Sequence, residues 1–212
     1  MRPGPAPLRR TSLLAVGATA ALLVGCAGQG SGSGAAPAPS SPPPSAAADT
    51  TPASRPVTTV VDPAAVPVPV AVQVPALGLD EQLVDLGVAA DGTAEVPTDF
   101  DRVGWFTGGG RPGARGPTVL MGHVDSTDGP AVFYALRDLV VGDVVEVTGA
   151  DGSTARYAVS GTSQVPKGEF PTTAVFGATA TDVLRLITCT GAFDAGARSY
   201  TDNLVVTAER LP

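Results

Sequence analysis

Only one histidine, two cysteines, one tryptophan and three tyrosines occur in the 212 residues. Each shortage narrows the chemistry. A single imidazole, His123, excludes any site built on several histidines. Cys26 and Cys189 cannot form a disulfide scaffold or a cysteine-rich zinc site, and the carboxylates match no zinc spacing. Basic residues are scarce as well: 13 Lys and Arg stand against 20 Asp and Glu, for a net charge of −7. A nucleic-acid binder needs a basic face, so that class is disfavoured. Acids that could form a calcium loop are sparse and unclustered. No metal and no cofactor are expected. Glycine and proline are plentiful, at 26 and 21 residues, near the level where low-complexity segments occur. The length suits one ordinary domain with tails.

Residues 1–25 read as an export signal. Arg2, Arg9 and Arg10 supply a positive start, and residues 13–24 form the apolar run. That run is too short to span a bilayer as a helix, which needs roughly 20 residues. It ends in Leu23-Val24-Gly25-Cys26, which resembles the lipobox of bacterial lipoproteins. Cys26 is then the expected lipidation site, with an uncleaved anchor as the alternative. The Arg9-Arg10 pair also resembles a twin-arginine export signal, so either that route or the general secretory one fits. Both place the protein on the outer face of the bacterial cytoplasmic membrane. Removing residues 1–25 takes away three arginines and no acid, which moves the net charge from −7 to −10. If Cys26 is lipidated, Cys189 is left as a lone thiol in an oxidising compartment, where an unpaired cysteine needs a reason.

Residues 26–62 are rich in Pro, Ala, Ser and Gly, with almost no large apolar side chain. Such a segment cannot bury enough surface to offset its ordering entropy, so it is expected to be a disordered tether. As mixed coil it reaches roughly 30 Å, and as polyproline nearer 100 Å. The pattern changes at residues 63–212, the expected folded domain. Valine falls on alternate positions over 66–74, a strand that its prolines mark as an edge. Further strand-like runs lie at 103–106, 118–121, 144–147, 157–159, 183–187 and 204–207. Asp91-Gly92 and Asp151-Gly152 are turn pairs, the second closing a hairpin. Val132, Phe133, Leu136 and Leu139 carry a short helical spacing. Seven or eight short strands with one helical turn predict an all-β domain, closed or sandwiched.

Two scarce residues fall at strand ends, where a rigid scaffold presents side chains. His123 follows the run at 118–121, and Cys189 ends the run at 183–187. A cysteine becomes a useful nucleophile when a nearby group stabilises its thiolate, and an imidazole can do so while also serving as general base and acid. Arg198 stands ahead of the last strand, and a guanidinium there could stabilise an oxyanion. Arg111, Arg115, Arg156 and Arg185 are alternative cations. Each residue also has a plain structural explanation: a surface histidine, or a cysteine acting as a small buried hydrophobe. Asp125 could orient His123.

The combination of Gly122-His123, Leu186-Ile187-Thr188-Cys189 and Arg198 ahead of a closing apolar strand resembles the sortases, the cysteine transpeptidases of bacterial cell surfaces. Gly122-His123-Val124-Asp125-Ser126, Val103-Gly104-Trp105-Phe106 and Arg198-Ser199-Tyr200 with Asp202-Asn203 are similar to the class F members of high-GC Gram-positive bacteria. The resemblance covers residues 63–212. It implies a closed eight-stranded β-barrel with short helical insertions. It further implies Cys189 as the nucleophile that forms an acyl-thioester, His123 as acid and base, and Arg198 as oxyanion stabiliser. Thr188, Phe170 and Val175 would line the substrate site, the last two from a loop over residues 166–180. The implied substrate is a surface protein with a Leu-Pro-x-Thr-Gly-like sorting signal, cut between Thr and Gly. The acceptor would be an amine of a cell-wall precursor. A monomer held to the membrane by its N-terminal lipid is the expected form. The lipobox departs from the transmembrane anchor common in the family.

Two other extracellular cysteine enzyme classes fit less well. L,D-transpeptidases place Gly before the nucleophile, where this chain has Thr188. Papain-like wall hydrolases place Cys before His, the reverse of the order here. The remaining alternatives are a lipoprotein binding module without chemistry and a sortase-like endopeptidase without transfer activity.

Overall fold

The computed structural model describes residues 65–212. The expected signal at 1–25, Cys26 and the tether at 26–62 lie outside the described residues. Alternating apolar side chains along short strands can bury one face only if the sheet closes or meets another layer. Here it closes. Eight strands form a barrel in the order β1-β2-β3-β4-β9-β10-β8-β7, with β7 pairing back onto β1. They are β1 (Pro69–Val74), β2 (Leu79–Leu86), β3 (Val103–Phe106), β4 (Gly116–Met121), β7 (Val144–Gly149), β8 (Thr154–Pro166), β9 (Asp182–Asp194) and β10 (Ser199–Arg210). A two-residue pair, β5 (Asp125–Ser126) with β6 (Gly129–Pro130), lies outside the barrel. The helical content is small: one turn, α1 (Thr172–Phe176), and 3₁₀ turns that include Tyr134–Asp138. No described helix is long and apolar enough to cross a membrane.

The all-β, closed eight-stranded barrel agrees with the sequence reading, and so does the hairpin at Asp151-Gly152, which joins β7 to β8. Three features differ. First, β1 is not an edge: it pairs with β2 on one side and β7 on the other. Pro69 is its first residue and the ladder shifts register just after it, so the missing N–H is accommodated where the strand begins. Second, β2 has the sequence Leu-Asp-Glu-Gln-Leu-Val-Asp-Leu, whose charges hide it from a search for apolar runs. Third, β8, β9 and β10 continue well past their apolar stretches.

The barrel interior holds Val72, Val74, Val103, Leu120, Phe133, Leu136, Val145, Val147, Tyr157, Leu184, Leu186 and Val206. A smaller apolar cluster joins Leu86, Val119, Met121, Val175, Ile187 and Val205, with Phe106, Phe170 and Phe176 packed against it. Period-two alternation explains the division, since Leu120 and Leu186 face inward while Val119, Met121 and Ile187 face the second cluster. Covered on both faces, β4 is buried at every position.

Candidate active site

β4 and β9 run parallel, so their C-terminal ends lie at the same end of the barrel. Met121 stands opposite Ile187, and the Gly122 N–H still donates to the Ile187 carbonyl at 3.2 Å. Two residues further along each chain are His123, just past the end of β4, and Cys189, which sits within β9 opposite Asn203 and not at a strand end as its apolar run suggested. The same register offset that pairs the strands therefore brings these residues, distant in sequence, to neighbouring positions. Gly122 is needed at this point: a Cβ there would come within 2.8 Å of the Phe133 ring and the Val132 side chain. Phe133 N–H in turn donates to the His123 carbonyl at 2.9 Å, which fixes the backbone that carries the imidazole.

The imidazole itself is held by a loop. His123 Nε2 lies 2.7 Å from the Pro97 carbonyl. A carbonyl can only accept, so Nε2 carries the hydrogen. Phe100 packs against the ring with centroids 4.4 Å apart. Asp125 does not hold the imidazole; its carboxylate accepts a hydrogen bond from the Tyr200 hydroxyl. That bond, more than any other influence, raises the Tyr200 pKa above its ordinary value, so the phenol stays protonated and able to donate.

Arg198 reaches the same place from the β9–β10 hairpin. Asp194 accepts from the Gly196 and Ala197 N–H groups at 2.7 and 3.1 Å and shapes the turn. Arg198 follows it in the left-handed region, with φ +52°, a conformation that costs a non-glycine residue on the order of 1–3 kcal/mol. The ladder shifts register between Tyr200 and Asp202, and such bulges bend a strand and re-aim its side chains. Cys189, His123 and Arg198 all line one cavity of about 640 Å³, together with Phe100, Asp125, Phe193 and Tyr200. Cys189 is a half-buried free thiol.

Of the four other arginines considered from sequence, Arg115 does not line this cavity and the other three are engaged elsewhere. Arg185 donates to the Ala174 carbonyl, Arg156 pairs with Glu146 at 3.0 Å, and Arg111 donates to the Val66 carbonyl at 2.8 Å. Burial also lowers the Arg185 pKa. Arg198 is thus the arginine that shares the cavity with the thiol and the imidazole.

The three expected substrate-binding residues lie apart from this cavity. Thr188 is 4% exposed, and its Oγ1 finds no hydrogen-bond partner among the described residues. Phe170 and Val175 belong to the apolar cluster that also includes Ile187, two residues before Cys189. Val175 is fully packed, whereas Phe170 is half-exposed. Sequence reasoning missed Pro97, Phe100 and Phe193. An aromatic side chain amid the polar run Thr98-Asp99-Phe100-Asp101 was the available signal for one of them. No group of three or more His, Cys, Asp or Glu that could hold a metal ion occurs among the described residues.

Comparison with known proteins identifies the family. A family model described as "Sortase domain" matches residues 72–211. Sortase C-1 from Actinomyces oris has a similar structure, with 27% identity and a TM-score of 0.52 over 68% of this chain and 71% of that one. A lid mutant of sortase A from Corynebacterium diphtheriae gives 22% identity and a TM-score of 0.53, over 69% and 72% of the two chains. Sortase C1 from Streptococcus suis gives 20% and 0.52, over 68% and 74%. These last two likenesses concern the fold alone. No curated protein sequence matches the chain.

Proposed function

The chain belongs to the sortase family of cell-surface cysteine transpeptidases, and from that premise we propose that it is a class F-like member acting on a Leu-Pro-x-Thr-Gly-like sorting signal. The observation that carries the site assignment is the common cavity: His123 just past the end of β4 and Cys189 within the adjacent parallel β9, with Arg198 beside them.

In this reading the Cys189 thiolate attacks the Thr carbonyl carbon of the signal. The carbonyl π electrons move onto oxygen, and the Arg198 guanidinium stabilises the resulting oxyanion because it keeps its charge at any working pH. As the oxyanion collapses, the C–N bond to Gly breaks and the imidazolium of His123 gives its proton to the departing amine. With Nε2–H engaged by Pro97, Nδ1 is the nitrogen that exchanges the proton. The product is an acyl-thioester on Cys189. An amine of a cell-wall precursor then attacks the thioester, passes a proton to the imidazole, forms the new amide bond and releases the thiolate. General acid–base help of this kind contributes about 10²–10⁴-fold in typical enzymes.

Phe170 would contact the apolar part of the signal from the segment before β9, with Val175 and Thr188 supporting that wall. Cys26 would be lipidated and would hold the domain outside the membrane as a monomer on the tether of residues 26–62.

Intact-mass spectrometry tests the reading. The protein is incubated with a Leu-Pro-x-Thr-Gly peptide and no amine acceptor. A mass gain equal to the acyl fragment ending in Thr, absent from Cys189→Ala, is the expected result. Peptide binding with neither adduct nor cleavage would instead identify a binding module.

A further inference from the structure

The tip of the β9–β10 hairpin extends beyond the barrel, and residues 191–198 are exposed along their whole length. Arg198 therefore sits on a segment with little core beneath it. Two contacts reach the tip from elsewhere in the fold. Lys167 Nζ donates to Ser199 Oγ at 2.7 Å, which ties the base of the tip to the end of β8. The Tyr200 hydroxyl donates to Asp125, and Asp125 lies two residues after His123. The second contact joins the Arg198 wall of the cavity to its His123 wall. Within the hairpin, Phe193 meets the Tyr200 ring edge-on at 5.3 Å and fixes the direction of the phenol.

We propose that Tyr200 is a positioning residue: its hydrogen bond to Asp125 holds the Arg198 hairpin across the cavity from His123, in register with the Cys189 thiol. The inference rests on the reading of Arg198 as the oxyanion stabiliser. The physical basis is simple. Arg198 acts only if its guanidinium meets the carbonyl oxygen as charge develops there. A long side chain on an exposed hairpin must be aimed by its backbone, and Tyr200 lies two residues from Arg198 on the same strand start. The bulge after Tyr200 and the left-handed Arg198 aim that backbone locally. The Asp125 bond then fixes it relative to the other catalytic wall.

The test uses the full-length protein and a sorting-signal peptide, with kcat, KM and thermal unfolding measured for each variant. Tyr200→Phe keeps the ring and removes the hydroxyl; it is expected to lower kcat about 10- to 100-fold, the scale of an ångström-level misplacement, with little change in KM or unfolding temperature. Asp125→Ala should reproduce that loss. Asp125→Asn keeps an oxygen that can accept from the phenol, so it should restore most of the rate. In an Arg198→Ala background, Tyr200→Phe should add no further loss, because the group it positions is already gone. Wild-type kcat in Tyr200→Phe would overturn the proposal, as would an equal loss with and without Arg198. If Arg198→Ala alone left kcat unchanged, the oxyanion assignment would fail and the positioning role with it, an outcome distinct from failure at Tyr200 alone.

Discussion

The two ends of β9 carry polar groups in opposite states. At its start, Asp182 is half-buried and hydrogen-bonded on both oxygens. Its carboxylate accepts from the Tyr157 hydroxyl at 2.9 Å and from the Gly113 N–H at 2.8 Å, with Arg210 at 3.6 Å. Tyr157 has no exposed surface at all. Further along, past the core, Cys189 is a free thiol at the wall of an open cavity, and the hairpin beyond it is exposed and locally strained. One strand thus joins a satisfied polar network to a free thiol on a loosely supported cavity wall, with Leu184 and Leu186 in the core between them. The difference teaches a division of labour along the barrel axis. The Asp182 end stitches β9 to β8, β10 and the loop before β4, while the Cys189 end leaves its polar groups available to a substrate.

Substitutions at the two ends should therefore fail in different assays. The largest effect is expected for Cys189→Ala: thioester formation and turnover are abolished, while thermal unfolding stays close to wild type because only one small, half-buried side chain is lost. Residual cleavage by that variant would move the nucleophile elsewhere. Next is Arg198→Ala, expected to lower turnover by about 10²–10³, the usual effect of losing an oxyanion donor. Its stability should hold or rise slightly, since alanine relieves no burial and the side chain is exposed. Turnover and unfolding measured on the same preparation separate these variants from any at the Asp182 end.

How much of this contrast was legible in the sequence depends on how far each feature is local. The apolar strands, the Asp151-Gly152 hairpin and the all-β class were readable because period-two patterning and turn chemistry act over a few residues, whereas closure into a barrel was implied by the family resemblance alone. His123 and Cys189 stood out because they are scarce and end apolar runs. Their juxtaposition was not readable from spacing, because it depends on the parallel register of β4 and β9, which is a property of the whole sheet. β2 was missed because both of its neighbours in the sheet are supplied by the fold, so its charged face gives no apolar signal. The Tyr200–Asp125 bond spans 75 positions; local sequence pointed to Asp125 as a partner for His123, whereas the loop at Pro97 and Phe100 takes that place.

Tyr157→Phe sharpens the comparison from the Asp182 end. It removes the hydroxyl that donates to Asp182 and leaves a half-buried carboxylate short of one partner. The expected cost is about 1–3 kcal/mol of stability, read by urea unfolding. Turnover per folded molecule should equal wild type, because the change lies at the opposite end of β9 from the thiol. A large drop in kcat with unchanged stability would show that the two ends are not independent.

The smallest expected effect, and the most specific, is a change of pH slope in Asp182→Asn. Burial pushes the Asp182 carboxyl above its ordinary value, and the bonds from Tyr157 and Gly113 and the charge of Arg210 only partly oppose it. The folded protein therefore holds this proton to higher pH than the unfolded chain does. Across the window between those two values the native state binds more protons, so this group's contribution to stability falls as pH rises. Asp202, whose pKa is lowered by its bond from Gln164, works in the opposite direction below the ordinary carboxylate range. Asparagine keeps the shape of Asp182 but does not titrate. It will carry a pH-independent cost, because it offers one acceptor where the carboxylate offered two. The slope is the informative quantity. The stability of Asp182→Asn relative to wild type should improve as pH rises from the ordinary carboxylate range upward, then level off once Asp182 is ionised in both states of the wild-type protein. Parallel curves for the two proteins would mean that Asp182 is already ionised there, and that the polar network offsets its burial in full.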